Sequence, residues 1–133
     1  MTRTSRRPVQ AMLVAAALAA CPLAHAEDPA TESETHIQRG VELRGQGRNG
    51  EALVEFQLAY ALEPTPRARA QVALALQALG DWLGAEQWLK EALQAHDDAW
   101  VARYSTELLG ALATILPVKK ALEVTPLQAM ARE

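Results

Sequence analysis

The chain has 133 residues, of which 50% are hydrophobic and 22% are charged, with one cysteine and a formal net charge of −3. This length suits one domain with a modest core, and a lone cysteine excludes a disulfide bond within the chain. The excess of acidic residues argues against a protein that binds nucleic acid, or that adheres to anionic lipid through its charge. Without a disulfide bond, the stability of the fold must come from apolar packing.

Residues 1–26 have the three parts of a secretory signal peptide. A start with three arginines precedes ten apolar residues from Ala11 to Ala20, and a small-x-small site follows at Ala24 to Ala26. The apolar run is too short for a transmembrane helix, which needs roughly 20 residues. The pattern predicts export with cleavage after Ala26, and a buried N-terminal helix is the alternative. Cleavage there leaves ten Lys and Arg residues against sixteen Asp and Glu residues, so the mature chain from Glu27 to Glu133 has a net charge of −6.

Cys21 leaves the destination of the exported chain open. The sequence Leu18-Ala19-Ala20-Cys21 resembles the lipobox of bacterial lipoproteins, in which the cysteine is lipidated. Lipidation would anchor the protein to the outer membrane, and this anchor is the only membrane association that we expect. Cleavage after Ala26 would discard Cys21 and leave a periplasmic protein, and the small residues at 24 and 26 favour this cut.

The rest of the chain predicts an all-α domain over residues 35–116. Residues 27–34 are polar and acidic and include Pro29, which predicts a flexible leader. Asp98 is a suitable N-cap for the last helix, Pro117 should end that helix, and residues 117–133 should form a poorly ordered tail, with a strand fragment at 122–124 as an alternative. Apolar spacing, glycines and prolines delimit five helices, predicted at 35–46, 50–62, 66–79, 82–95 and 99–116.

A repeat relates the second predicted helix to the fourth. Gly47 corresponds to Gly80, and the offset between these two glycines is the repeat period. Self-similarity at such a period indicates stacked helix pairs. The two copies of the main motif, separated by the same offset, are Ala52-x3-Phe56-x2-Ala59 and Ala85-x3-Leu89-x2-Ala92.

These residues resemble the tetratricopeptide repeat. The second-helix signature of that family, Ala-x3-aromatic-x2-Ala-x4-Pro, is met by Ala52, Phe56, Ala59 and Pro64. The resemblance implies two stacked helix hairpins, at about 33–65 and 66–98, and a capping helix at 99–116 that covers the apolar end of the array. His36 and Arg39 depart from the family pattern, which prefers large apolar residues there, and an unrelated helical bundle is the alternative.

A narrower resemblance is to exported bacterial proteins that join such repeats to a small β-domain of the PEGA type. Asp97-Asp98-Ala99-Trp100 and Leu122-Glu123-Val124 are similar to the helix start and the following strand in those proteins. The chain would then be a shortened relative.

No constellation of residues predicts catalysis, a metal site or a cofactor. His36 and His96, the two histidines after residue 26, fall in different repeats. The pair Asp97-Asp98 suits a helix cap better than an acid site, and three tryptophans, Trp82, Trp88 and Trp100, have spacings typical of packing. We therefore expect a non-enzymatic protein.

The resemblance implies that a protein or peptide partner binds in a concave groove lined by the first helix of each hairpin. Arg44 and Arg67 would meet carboxylates of the bound segment, and Val41 and Leu74 its apolar groups. The expected function is an interaction module of the bacterial cell envelope. The alternative is a structural or self-associating spacer whose groove is covered by the fifth helix or by a second copy. The predicted partner-binding residues are Glu34, Ile37, Val41, Arg44, Arg67, Ala70, Leu74 and Gln77.

Overall fold

A computed structural model describes residues 27–123 of the protein, and these residues form five α-helices and no strand. The prediction of an all-α fold is confirmed. The predicted signal peptide, Cys21 and residues 124–133 lie outside the described range. The helices are α1 (Pro29–Gly45), α2 (Asn49–Leu62), α3 (Pro66–Ala78), α4 (Trp82–Gln94) and α5 (Ala99–Glu123).

The first four helices form two hairpins, α1 with α2 and α3 with α4. Both hairpins turn at a glycine in the left-handed region, Gly47 with φ 77° and Gly80 with φ 82°. This conformation suits glycine because it has no Cβ. In both turns the amide after the glycine donates to a carbonyl of the last helical turn, so the two helices end in the same way. These bonds join Arg48 to Leu43 (2.9 Å) and Asp81 to Leu76 (3.0 Å).

The core depends on small residues where helices cross. A Cβ atom at Gly40 would collide with the ring of Phe56, which is itself fully buried. Between the hairpins, α2 packs on α3, and the rings of Tyr60 and Trp88 meet in a T-shaped arrangement with 5.0 Å between centroids. The small residues at 40, 52, 59, 73, 85 and 92 are all buried.

Helix α5 takes the place that the first helix of a third hairpin would take. It begins one repeat period after α3 and packs on α3 and α4, much as α3 packs on α1 and α2. Its buried residues Val101 and Leu108 each lie one repeat period beyond a buried alanine of α3, Ala68 and Ala75 respectively. The predicted N-cap is confirmed, since the carboxylate of Asp98 accepts hydrogen bonds from the amides of residues 100 and 101, at 2.9 and 3.0 Å.

The prediction of a flexible leader is wrong for residues 29–34, because α1 begins at Pro29. Proline is well suited to the first turn of a helix, where its missing N–H is not needed. Ser33, Ile37 and Gly40 lie on one buried face of α1, and the Ser33 hydroxyl donates to the carbonyl of Ala59 at 3.1 Å. The sequence did not indicate this face, because its first buried residue is a polar serine.

The prediction that Pro117 ends the last helix is also wrong, because α5 continues to Glu123. Pro117 is exposed, so the carbonyl that loses its helical hydrogen bond can be solvated. Beyond it, Lys119 is held to Glu86 of α4 at 3.0 Å. Residues 122 and 123 are therefore helical rather than extended. The other helix boundaries agree with the prediction to within one residue.

No helix between residues 27 and 123 combines the length and the apolar character needed to cross a membrane.

Candidate functional site: a groove between the first, third and fifth helices

A groove with a cavity of about 290 Å³ runs between α1 and α5, with α3 as its floor. No Cα atom of α1 lies within 8 Å of a Cα atom of α5, so the groove is open between the two helices. Its lining residues are Val41, Arg44, Arg67, Gln71, Leu74, Trp100, Tyr104, Glu107 and Leu108.

Arg44 supplies the positive charge of the first-hairpin wall. Its guanidinium donates to Oε1 of Gln71 at 2.8 Å and lies over the ring of Phe56, 5.8 Å from the centroid. Burial lowers the pKa of Arg44 through desolvation, although an arginine so placed stays charged at neutral pH. Among residues 27–123, no carboxylate lies within ion-pairing distance of Arg44. A partly desolvated cation with one neutral partner favours an added carboxylate.

Arg67 and Trp100 connect the groove to a second depression of about 250 Å³, which is acidic. Glu34, Glu63 and Asp98 line this second depression. Arg67 donates to Glu34 at 2.7 Å in a half-exposed ion pair, which contributes less than about 1 kcal/mol to stability. The two depressions together therefore have a basic end at Arg44 and an acidic end beside the start of α5.

Aromatic side chains form the α5 wall of the groove. The rings of Trp100 and Tyr104 lie 4.7 Å apart with an interplanar angle of 35°. Leu74 faces them from α3 and is half-buried. Such a surface can receive an apolar or aromatic side chain, since rigid aromatic walls give a large contact area at a small entropy cost.

The structure brings four of the predicted residues together in the groove: Val41, Arg44, Arg67 and Leu74. Val41 is 42% exposed. Glu34 lines the adjoining acidic depression.

Two of the predicted residues, Ile37 and Ala70, are 3% and 0% exposed and belong to the core, although Ile37 also borders the acidic depression. Ile37 packs with Ala59 and Ala68 at the junction of the first three helices. Ala70 packs in the cluster that contains Leu89. Both lie on the side of their helix that faces the other helices.

The predicted residue Gln77 does not line the groove. Its amide donates to the hydroxyl of Thr114 at 2.6 Å and, more weakly, to the carbonyl of Ala111 at 3.4 Å. These bonds join α3 to α5, so Gln77 already has partners within the chain. Gln77 thus holds α5 on α3 and does not contribute to the groove lining.

Sequence reasoning missed the α5 wall, because it treated α5 only as a cap and Trp100 only as a packing residue. The signal was present in the repeat, since the residues one repeat period after the α3 lining residues form this wall. These pairs are Arg67 with Trp100, Gln71 with Tyr104 and Leu74 with Glu107. For Trp82 and Trp88 the packing role is confirmed, since both lie against the core.

The remaining polar residues of interest are engaged in local structure. His36 contacts a carboxylate oxygen of Glu55 through Nδ1 at 2.6 Å, which links α1 to α2. Asp98 caps α5, as described above. Within residues 27–123, no three His, Cys, Asp or Glu side chains converge as metal ligands would.

Comparisons of the chain with protein-family models, with curated proteins and with solved structures found no match.

Proposed function

We propose that the protein is a non-catalytic interaction module of the tetratricopeptide kind, exported to the bacterial cell envelope, which binds a segment of a partner protein in the groove. The function needs no cofactor. The observation that carries the proposal is Arg44, a partly buried cation without a carboxylate partner among residues 27–123, beside an apolar and aromatic surface that is open to solvent.

The charges of the groove favour a bound segment with a defined polarity. A carboxylate of the segment would meet Arg44, and a basic group would meet the acidic depression beside Trp100. Between them, an apolar side chain would lie against Leu74 and Tyr104. A hydrogen bond to a charged group contributes about 1.5–3 kcal/mol, so loss of Arg44 should weaken binding by roughly tenfold to a hundredfold.

The test is site-specific photo-crosslinking in the intact envelope. Tyr104→p-benzoylphenylalanine places the probe on the groove wall, and Leu58→p-benzoylphenylalanine places it on the exposed side of α2 as a control. We expect a crosslinked partner from position 104, absent from position 58. Arg44→Glu should abolish this crosslink, whereas Arg48→Glu, which removes an exposed ion pair with Glu51, should leave it.

Purified partner and chain should then bind directly, with the same dependence on Arg44. A crosslink that is insensitive to Arg44→Glu would place the partner elsewhere, and the absence of any crosslink from position 104 would contradict the proposal. The alternative of a purely structural spacer requires a covered groove. The exposed Val41 disfavours it.

A further inference from the structure

Helix α5 has an apolar stripe on its outer face, opposite the residues that line the groove. Five exposed residues at alternating spacings of four and three positions form this outer stripe, and the two leucines among them, Leu109 and Leu116, are 55% and 51% exposed. Spacing of this kind is typical of a helix that packs along a second helix. The outer stripe consists of Ala102, Thr106, Leu109, Ala113 and Leu116.

The repeat shows what kind of element covers such a face. Moving back by one and then two repeat periods takes Leu109 to Leu76 and Leu43, and takes Thr106 to Ala73 and Gly40. On α1 and α3 this face is covered by the antiparallel helices α2 and α4. Among residues 27–123, no helix covers it on α5.

The surroundings of the outer stripe also leave room for a helix. A Cβ atom added to Gly110 would meet no atom within 4 Å, so the space beside this residue is empty. The glycine itself costs about 1 kcal/mol of helix stability relative to alanine. Between α4 and α5, a depression of about 400 Å³ lies next to Leu109 and is lined in part by Leu93 and Val101. Small residues and a hollow beside exposed leucines suit the close approach of another helix.

We propose that a second copy of this chain docks on the outer stripe, with its α5 antiparallel to the first α5 about a two-fold axis. The stripe is complementary to itself, because Leu116 lies at its C-terminal end and the smaller Ala102 and Thr106 lie at its N-terminal end. Antiparallel pairing places Leu116 of one copy against the region of Ala102 and Thr106 of the other. Leu116 thus faces small residues, as close packing requires, while the two copies of Leu109 meet each other at the two-fold axis.

Charge supports the same arrangement. The C-terminal turn of α5 carries Lys120, and its N-terminal end follows Asp97, whose side chain is almost fully exposed. Antiparallel pairing brings Lys120 of each copy towards Asp97 of the other, twice in the dimer. A parallel arrangement would instead bring like charges together.

The expected dimer is weak and leaves both grooves open. Two helices that meet over four turns, with the adjoining depression, bury about 1,000 Å², which is near the lower limit for a specific interface. The groove lies on the other side of α5, along Trp100 and Tyr104. Pairing through the outer stripe therefore leaves each groove free to bind a single segment.

Sedimentation velocity of the full chain, purified from the compartment where it accumulates, tests the proposal over a hundredfold range of protein concentration. We expect a monomer–dimer equilibrium. Leu109→Glu should raise the dissociation constant by at least about tenfold, because it introduces an unpaired charge into the interface. Leu58→Glu, at a leucine of α2 that is 45% exposed, should leave it unchanged. Circular dichroism at 222 nm should show that both variants keep their helical content.

A charge swap tests the orientation of the two helices. Lys120→Glu and Asp97→Lys should each weaken the dimer, and the double variant Lys120→Glu/Asp97→Lys should restore it. A monomer at every concentration, a dimer that survives Leu109→Glu, or no restoration by the double variant would each overturn the proposal. None of these outcomes bears on the crosslink from position 104, so failure of this proposal and failure of the proposed function are distinguishable.

Discussion

The close crossing of α1 and α2 makes Gly40→Ala a sharp test of the fold. The added Cβ would overlap the ring of Phe56. The ring cannot easily move away, since Phe56 is fully buried and packs against Ala52, Val72 and Ala75. Overpacking of this kind costs about 1–3 kcal/mol. Replacing a helical glycine by alanine stabilises the helix by about 0.5–1 kcal/mol, which offsets part of the cost of overpacking. We expect a net loss of about 1–2 kcal/mol in the free energy of unfolding.

Gly110→Ala is the matched control, because the same substitution in α5 meets no neighbouring atom. Here only the gain in helix propensity remains, and we expect a stabilisation of up to about 1 kcal/mol. Urea unfolding followed by circular dichroism, at low protein concentration to keep the chain monomeric, measures both changes. In thermal unfolding, each change of about 1 kcal/mol corresponds to a shift in Tm of about 4–8 °C for a domain of this size.

The test rests on the opposite signs of the two expected changes in the free energy of unfolding. If Gly40→Ala is as stable as the wild type, then α1 and α2 do not cross with Phe56 against Gly40. In the double variant Gly40→Ala/Phe56→Leu the smaller side chain relieves the overlap. The two single costs should therefore add up to more than the cost of the double variant.

Three further predictions test the ends of the helices. Hydrogen bonds from two lysines lower the pKa of the Glu86 carboxyl, whose side chain is only 8% exposed. Its contribution to stability should be complete above the ordinary carboxyl range and disappear as the pH falls through the lowered pKa, so urea midpoints of wild type and Glu86→Gln should differ at neutral pH and converge in acid. Ser33→Ala should cost about 1 kcal/mol in urea unfolding, since it removes a buried hydrogen bond, whereas Thr35→Ala, at an exposed site, should cost much less; equal costs would mean that the start of α1 is not packed. Asp98→Ala removes the cap of α5 and should lower the free energy of unfolding by about 1 kcal/mol, seen as a lower Tm, whereas Asp97→Ala should change the Tm very little. An unchanged Tm for Asp98→Ala would contradict the cap.

The architecture could be predicted from the sequence because two kinds of local signal agree. Gly47 and Gly80 mark positions where the backbone needs a positive φ, and their spacing matches the spacing of the buried alanines and of Phe56 with Leu89. Turn chemistry and apolar periodicity thus indicated the same helix boundaries. The order of the helices in space then follows from short connections, which make successive helices antiparallel neighbours.

The parts that could not be predicted depend on tertiary contacts. Nothing in the composition of residues 29–34 indicates that the Ser33 hydroxyl meets a carbonyl of α2. Likewise, the local rule that proline ends a helix fails at Pro117, where the ion pair between Lys119 and Glu86 holds the following turns on α4. At Ile37, repeat position alone did not reveal which side of α1 faces the core.

Both proposals depend on helix α5. One of its faces lines the groove, and the opposite face carries the outer stripe. The face with Tyr104 completes a groove whose other wall, with Arg44, lies on α1, so the site exists only when α5 is docked on α3. The opposite face, with Leu109, is left without a covering helix among residues 27–123. If two chains pair through that face, each dimer presents two open grooves. A partner with two suitable segments would then bind the dimer more tightly than a single groove allows, because the second contact becomes intramolecular. Weak self-association would in that case make partner binding depend on the concentration of this chain, and Leu109→Glu would lower the affinity for such a partner while leaving the affinity for a single segment unchanged.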